Sequence, residues 1–313
     1  MNPVERACNK IIRHTKWYDQ YWNGVQKFWY LNRFNLDVVN LGSYSGKYSF
    51  NYNDLGVTGM NWAVGPQSLV HDFNILKNYF SYLKLRGTVI ISLTPFSSLV
   101  SQYTKNSNLK YYTFLHPATI LDFDEKERIK ALKIKWSPIR EMPWLCMKRT
   151  LKEGVKHILH RPQLKCDMEK SAEIFISSWK GQFGITDLDA PLSEQHRNDQ
   201  ENRIHVLKEI IDFCIERDLN PVLVIPPVHP ALGARFTEKC RENYIYSFVR
   251  KANTQNIPFL DYMDDERFHI EAYFRNSFFM SDEGAKKFTE IVLKELHLLC
   301  CLLYTSDAAD DLT

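Results

Sequence analysis

A serine hydroxyl becomes a nucleophile only when a base stands beside it and the backbone presents it at a turn. Two distant segments of the 313-residue chain carry residues of suitable type. Near the start, residues 37–46 (DVVNLGSYSG) run from an apolar stretch into a turn holding Gly42, Ser43, Tyr44 and Ser45. Near the end, residues 273–284 (YFRNSFFMSDEG) place Asn276 and Phe279 just ahead of a helix start that Ser281 can cap. A third segment, Pro226-Pro227-Val228-His229-Pro230, holds His229 on a stretch stiffened by prolines. There His229 is either a base for Ser43 or Ser45, or a turn residue that contacts a ligand or caps the next helix.

Strands must deliver these residues. Residues 38–41 form a short apolar run, as in a parallel strand covered on both faces. Residues 59–64 read as a weaker strand closed by Gly65-Pro66. Leu69, Phe73, Leu76, Phe80 and Leu83 then recur at spacings of 4, 3, 4 and 3, which predicts an amphipathic helix over 67–85 ended by Gly87. Residues 88–93 read as a buried strand, completing a right-handed crossover. The same alternation returns late in the chain. Ile204, Leu207, Ile211 and Cys214 stripe a helix; a strand is predicted over 222–225, a helix over 232–252 and a strand over 258–262. Ala285, Phe288, Val292 and Leu296 mark the apolar face of a last helix, with Asp282 and Glu283 in its first turn. The predicted fold class is α/β: a doubly wound, mainly parallel sheet with a helical insertion. Ligands of such sheets sit beyond the carboxyl ends of the strands, which adds Asn61 and Thr94 to the candidate cleft residues.

The chain divides into an N-terminal helical segment (1–36), a first half-domain (37–121), a basic helical insertion (122–198), a second half-domain (199–300) and a tail (301–313). Hydrophobic content of 44% and charged content of 25% are those of an ordinary globular protein. The net charge of +3 is unevenly spread: residues 126–165 hold 12 Lys or Arg against three Glu. Within them, residues 142–160 read as an amphipathic helix with Lys148, Arg149, Lys152 and Lys156 on its polar side. This stretch is either a solvated face or a surface for a polyanion or an anionic membrane. No nucleic-acid-binding module accompanies the charge, so nucleic acid is not an expected partner.

Cys8, Cys146, Cys166, Cys214, Cys240, Cys300 and Cys301 form no CxxC pair and read as reduced thiols of a cytoplasmic protein. No apolar run reaches membrane-span length, and residues 1–16 lack the apolar core of a secretory signal. His157 and His160 are spaced three apart without cysteine or carboxylate partners, so no metal site is expected. His71 reads as a hydrogen-bonded surface histidine, and His116 has no assignable partner. Neither GxGxxG nor GxxxxGK[ST] occurs, and no cofactor is expected. Residues 301–311 resemble the translation of a sequencing-library adapter, and the tail is expected to carry no biology.

Four blocks in order, NLGSYSG, GMNWAVGPQSLVHDFNILKNY, IISLTPFSSL and NSFFMSDEGAKKFT, resemble the SGNH (GDSL-type) hydrolase superfamily. The flavour is that of its bacterial polysaccharide- and teichoic-acid-associated members, such as the D-alanyl-lipoteichoic acid transfer proteins. The resemblance implies a flavodoxin-like sheet, a nucleophilic serine two residues after a glycine, and an Asp-x-x-His element before the last helix. In that register Tyr44 stands at the serine, Asn276 at the aspartate and Phe279 at the histidine. Phenylalanine exchanges no proton, so the usual base is missing. The resemblance therefore leaves two readings. One is a triad-less protein that binds a bacterial surface glycan or its precursor, with Tyr44 as a stacking platform. The other is an esterase or O-acyltransferase acting on a polysaccharide through Ser43 or Ser45 and a relocated base such as His229.

Overall fold

Five strands build the sheet in the computed structural model, which describes residues 2–100, 105–158 and 166–299. They are β1 (Leu36–Leu41), β2 (Gly59–Asn61), β3 (Leu83–Ser92), β4 (Asn220–Ile225) and β5 (Phe259–Asp261). All neighbours are parallel, in the order β2-β1-β3-β4-β5. This is the flavodoxin-like doubly wound arrangement. From β1 the chain adds β2 on one side and β3 on the other, so the topological switch point lies between β1 and β3. Alternation along the strands feeds two apolar layers. Val39, Leu41, Val89, Ile91, Leu223 and Ile225 face one layer, and Val38, Ile90, Val222 and Val224 the other.

The helices, in chain order, are α1 (Pro3–Arg13), α2 (Lys16–Tyr21), α3 (Gln26–Trp29), α4 (Tyr44–Ser49), α5 (Leu69–Tyr79), α6 (Glu125–Trp136) and α7 (Pro138–Glu141). They continue as α8 (Pro143–Ile158), α9 (Met168–Phe183), α10 (Glu194–Ile215), α11 (Pro230–Gly233), α12 (Glu238–Arg241), α13 (Ser247–Ala252) and α14 (Asp282–Glu295). Helices α5, α10 and α13 cover the larger layer, while Phe288 and Val292 of α14 cover the other with Phe50 and Tyr52. Ser281 caps α14 by accepting from the Gly284 amide at 3.1 Å. Described residues of the insertion contain helices and no strand. The N-terminal helices join this insertion: Asn9 accepts from the Ile139 amide and donates to Ser137, and the Tyr18 hydroxyl donates to the Ile134 carbonyl.

Three sequence expectations are corrected. The helix predicted over 67–85 ends at Tyr79, followed by a 3-10 turn at Phe80–Tyr82. Leu83 keeps helical spacing but already pairs with Leu36 in the sheet, so Gly87 lies inside β3 and ends no helix. The helix predicted over 232–252 is interrupted, because Thr237 caps a fresh start by accepting from the Cys240 amide; α12 and α13 are joined by a π turn at Glu242–Tyr246. Finally, His71 is buried rather than at the surface: its ring stacks on Tyr111 at 4.2 Å and its Nδ1 lies 3.0 Å from Ser68 Oγ.

Cys8, Cys146, Cys166, Cys214 and Cys240 all carry free thiols. No described helix is long and apolar enough to cross a membrane. His160, Cys300 and residues 301–313 lie outside the described residues, as does the side chain of His157.

Candidate functional site

The carboxyl ends of β1 and β3 open into a cavity of about 240 Å³. Ser43, Tyr44 and Ser45 enter it from the turn after β1, and Ser92, Thr94, Phe96 and Ser97 from the end of β3. Gln67, Ser68 and Asp72 come from the start of α5, and Trp179, Gln182 and Phe183 from α9. Phe278 closes the set from the last loop. Four sequence candidates thus meet here: Ser43, Tyr44, Ser45 and Thr94. The ligand position expected for a doubly wound sheet is the one occupied by this cavity.

Gly42 lies behind the wall. Its φ of +129° and the Ser92 carbonyl oxygen, 2.8 Å from where a Cβ would stand, leave room only for glycine. Its amide donates to Asp72 Oδ1 at 2.7 Å. Asp72 is the element the sequence reading missed. Its carboxylate also accepts from Gln67 Nε2, while Gln67 Oε1 accepts from the Tyr111 hydroxyl at 3.2 Å. Burial pushes the Asp72 carboxyl up to about 7, against the pull of the Gln67 and Gly42 hydrogen bonds and of the Lys110 charge. Lys110 is buried beneath the same wall and donates to the Pro66 carbonyl at 2.6 Å. Burial, reinforced by Lys47, draws its ammonium down to about 7.

The two candidate serines differ. Ser43 Oγ accepts from the Gln67 amide at 3.1 Å. Ser45 is buried, and its Oγ, like that of Ser92, has no hydrogen-bond partner among the described residues. No histidine among them bonds either Ser43 or Ser45. Thr94 is turned onto its neighbour: its amide donates to Ser97 Oγ at 2.7 Å and the two hydroxyls lie 3.1 Å apart.

His229 stands outside the cavity lining and caps α11, its Nδ1 accepting from the Ala231 amide at 3.2 Å. Burial lowers its pKa, which nearby Glu271 and Glu169 oppose. The relocated-base role is therefore not met by this geometry; the capping role is. Asn61 and Asn276 also hold backbone rather than face the cavity. Asn61 Nδ2 donates to the carbonyls of Gly46, Lys47 and Phe50, and its Oδ1 accepts from Ala63 and from Asn40. Asn276 Oδ1 accepts from the amides of Phe278 and Phe279, closing the last loop. Phe279 packs on Tyr48, Phe175 and Tyr44, with ring centroids 4.9, 5.7 and 5.8 Å away.

Chemically the cavity offers neutral hydroxyls and amides, one carboxyl poised near neutrality, and aromatic rings from four parts of the chain. No three His, Cys, Asp or Glu side chains among the described residues gather where they could hold a metal ion. No family model matches the chain, and no curated protein matches it.

Proposed function

We propose that this protein is a divergent SGNH-like fold without triad chemistry, which binds a bacterial surface glycan or its precursor in the cavity between β1 and β3. One observation carries the reading. The two positions that the resemblance aligns with nucleophile and base, Tyr44 and Phe279, meet in space with centroids 5.8 Å apart. A Ser–His pair would have to meet in the same way. Yet Phe279 exchanges no proton, and burial moves the Tyr44 phenol further above its ordinary range, away from a nucleophilic phenolate. The aligned positions are thus assembled while their chemistry is lacking.

A saccharide suits the lining. Its hydroxyls can exchange hydrogen bonds with Ser43, Gln182 and Asp72, and its apolar face can lie on Tyr44 or Trp179. The volume falls below the ~300–1,000 Å³ of drug-sized sites, which favours one sugar residue of a longer chain. Saturation-transfer NMR with amino sugars, glycerol phosphate oligomers and neutral hexoses tests the proposal on the wild type and a Ser45→Trp variant. Transfer to at least one ligand, lost in Ser45→Trp, supports it. Equal transfer in both proteins removes the cavity from the account.

A further inference from the structure

Helix α8 lies in the basic stretch whose sequence leaves two readings, a solvated face or a surface for a polyanion or an anionic membrane. Its inner face is fixed by polar anchors. Glu153 accepts from the Lys16 and Trp17 amides at 2.8 Å, capping α2 from outside. Thr150 Oγ1 accepts from Trp17 Nε1 at 3.0 Å, and Cys146 is buried against the Pro138 carbonyl. With about 100° per residue, the side opposite Glu153 carries Trp144, Met147, Leu151 and Val155 within an arc of about 80°. All four face outward: their exposures are 82%, 51%, 67% and 53%. The helix thus turns Thr150 and Glu153 inward beside Cys146 and Leu145 and leaves an apolar stripe in solvent, where an ordinary surface helix keeps its polar residues.

Lys148 and Lys152 border the stripe on one side, and Arg149 lies beyond them, about 40° from Glu153 around the helix; all three are exposed. None forms an ion pair with a carboxylate among the described residues. A Trp- and Leu-bearing stripe bordered by cations is the pattern of a helix lying in the headgroup region of a bilayer. We propose that this outer face of α8 docks the protein on an anionic membrane, with Trp144 and Leu151 inserted and Lys148 and Lys152 at the lipid headgroups. A second copy of the chain is a poorer occupant, since a two-fold contact would set these cations against their own counterparts. A soluble polyanion would use the charges and leave the stripe idle. The inference stands apart from the cavity and its ligand.

Flotation of the full chain with phosphatidylcholine vesicles, with and without phosphatidylserine, tests it. The wild type should float only with the anionic vesicles. Trp144→Ala/Leu151→Ala should weaken binding by about ten-fold or more. Lys148→Ala/Lys152→Ala should weaken it by about 25-fold, about five-fold per lysine removed. Lys239→Ala/Lys251→Ala, which removes the same charge from exposed positions elsewhere, should float as the wild type does. Circular dichroism melts check that each variant is folded. The proposal is overturned if the wild type stays unbound, or if the Lys239/Lys251 pair costs as much as the Lys148/Lys152 pair. Undiminished flotation of Trp144→Ala/Leu151→Ala, which would assign the surface to a polyanion, also overturns it. So does a wild-type dimer that this variant dissociates.

Discussion

Replacing Asp72 by asparagine removes one charge and no contact, because an amide oxygen can still accept from the Gly42 amide and from Gln67 Nε2. What changes is the cost of holding a carboxylate beneath the cavity. A carboxyl whose pKa is raised on folding, here from 3.8 to about 7, binds a proton in the native state over a range where the unfolded chain has lost it. The native protein then carries more protons than the unfolded chain between these values, so stability falls as pH rises from about 4 to about 7. An uncharged amide at this position has no such penalty. The Asp72→Asn variant should therefore be more stable than the wild type by about 4 kcal/mol at pH 8 and about 2 kcal/mol at pH 5, the gap closing toward pH 3. Burial also depresses Lys27 and Lys110, to about 7 each. These contribute the opposite slope, stability rising from about pH 7 toward 10.5, but they are shared by both proteins and largely cancel in the difference. Urea unfolding of both proteins at several pH values, compared at equal m-value, reads the gap directly. A variant less stable than the wild type at pH 8 would refute the reasoning, since Asp72 would then be a net stabilising partner of Lys110.

Three further substitutions probe the wall. Ser45→Ala deletes a buried hydroxyl that has no partner among the described residues, and should raise stability by up to about 1 kcal/mol in the same assay; a clear loss would reveal a partner for Ser45 Oγ. Gly42→Ala places a Cβ 2.8 Å from the Ser92 carbonyl at positive φ, and should cost about 1–3 kcal/mol, seen as a lowered Tm. Asn61→Ala strips the side chain that joins the end of β2 to the carbonyls of Gly46, Lys47 and Phe50. It should cost about 2–3 kcal/mol and raise amide exchange across Tyr44–Ser49; exchange confined to residues near position 61 would count against this role.

The sheet was legible because the central stretches of β1, β3 and β4, Val38–Val39, Val89–Ile91 and Val222–Ile225, are buried on both faces and read as apolar runs. Where patterns mislead, tertiary pairing overrides local spacing, as at Leu83, which continues a helical stripe yet lies in a strand. The site is only half legible. Ser43, Tyr44, Ser45 and Thr94 follow from their place at strand ends, where a doubly wound sheet puts ligands. Asp72 stands three residues after Leu69 and four before Leu76, so helical spacing puts it on their face; what the sequence does not show is its partner, the Gly42 amide, which only the fold brings to it. The α9 wall has a sequence signal, Phe175, Trp179 and Phe183 recurring every four residues, but nothing local says that this stripe meets the end of β3. The stripe of α8 was equally visible, and its outward direction was not, because the anchors Glu153 and Thr150 choose the inner face through contacts with α2.

Labelling with a fluorophosphonate probe, read by peptide mass spectrometry, tests the proposed SGNH-like cleft without a working nucleophile most directly. With no histidine bonded to Ser43 or Ser45 and Phe279 in the aligned base position, the probe should leave both serines unmodified under conditions that fully label a serine esterase control. A stoichiometric adduct on Ser43 or Ser45 would contradict the account.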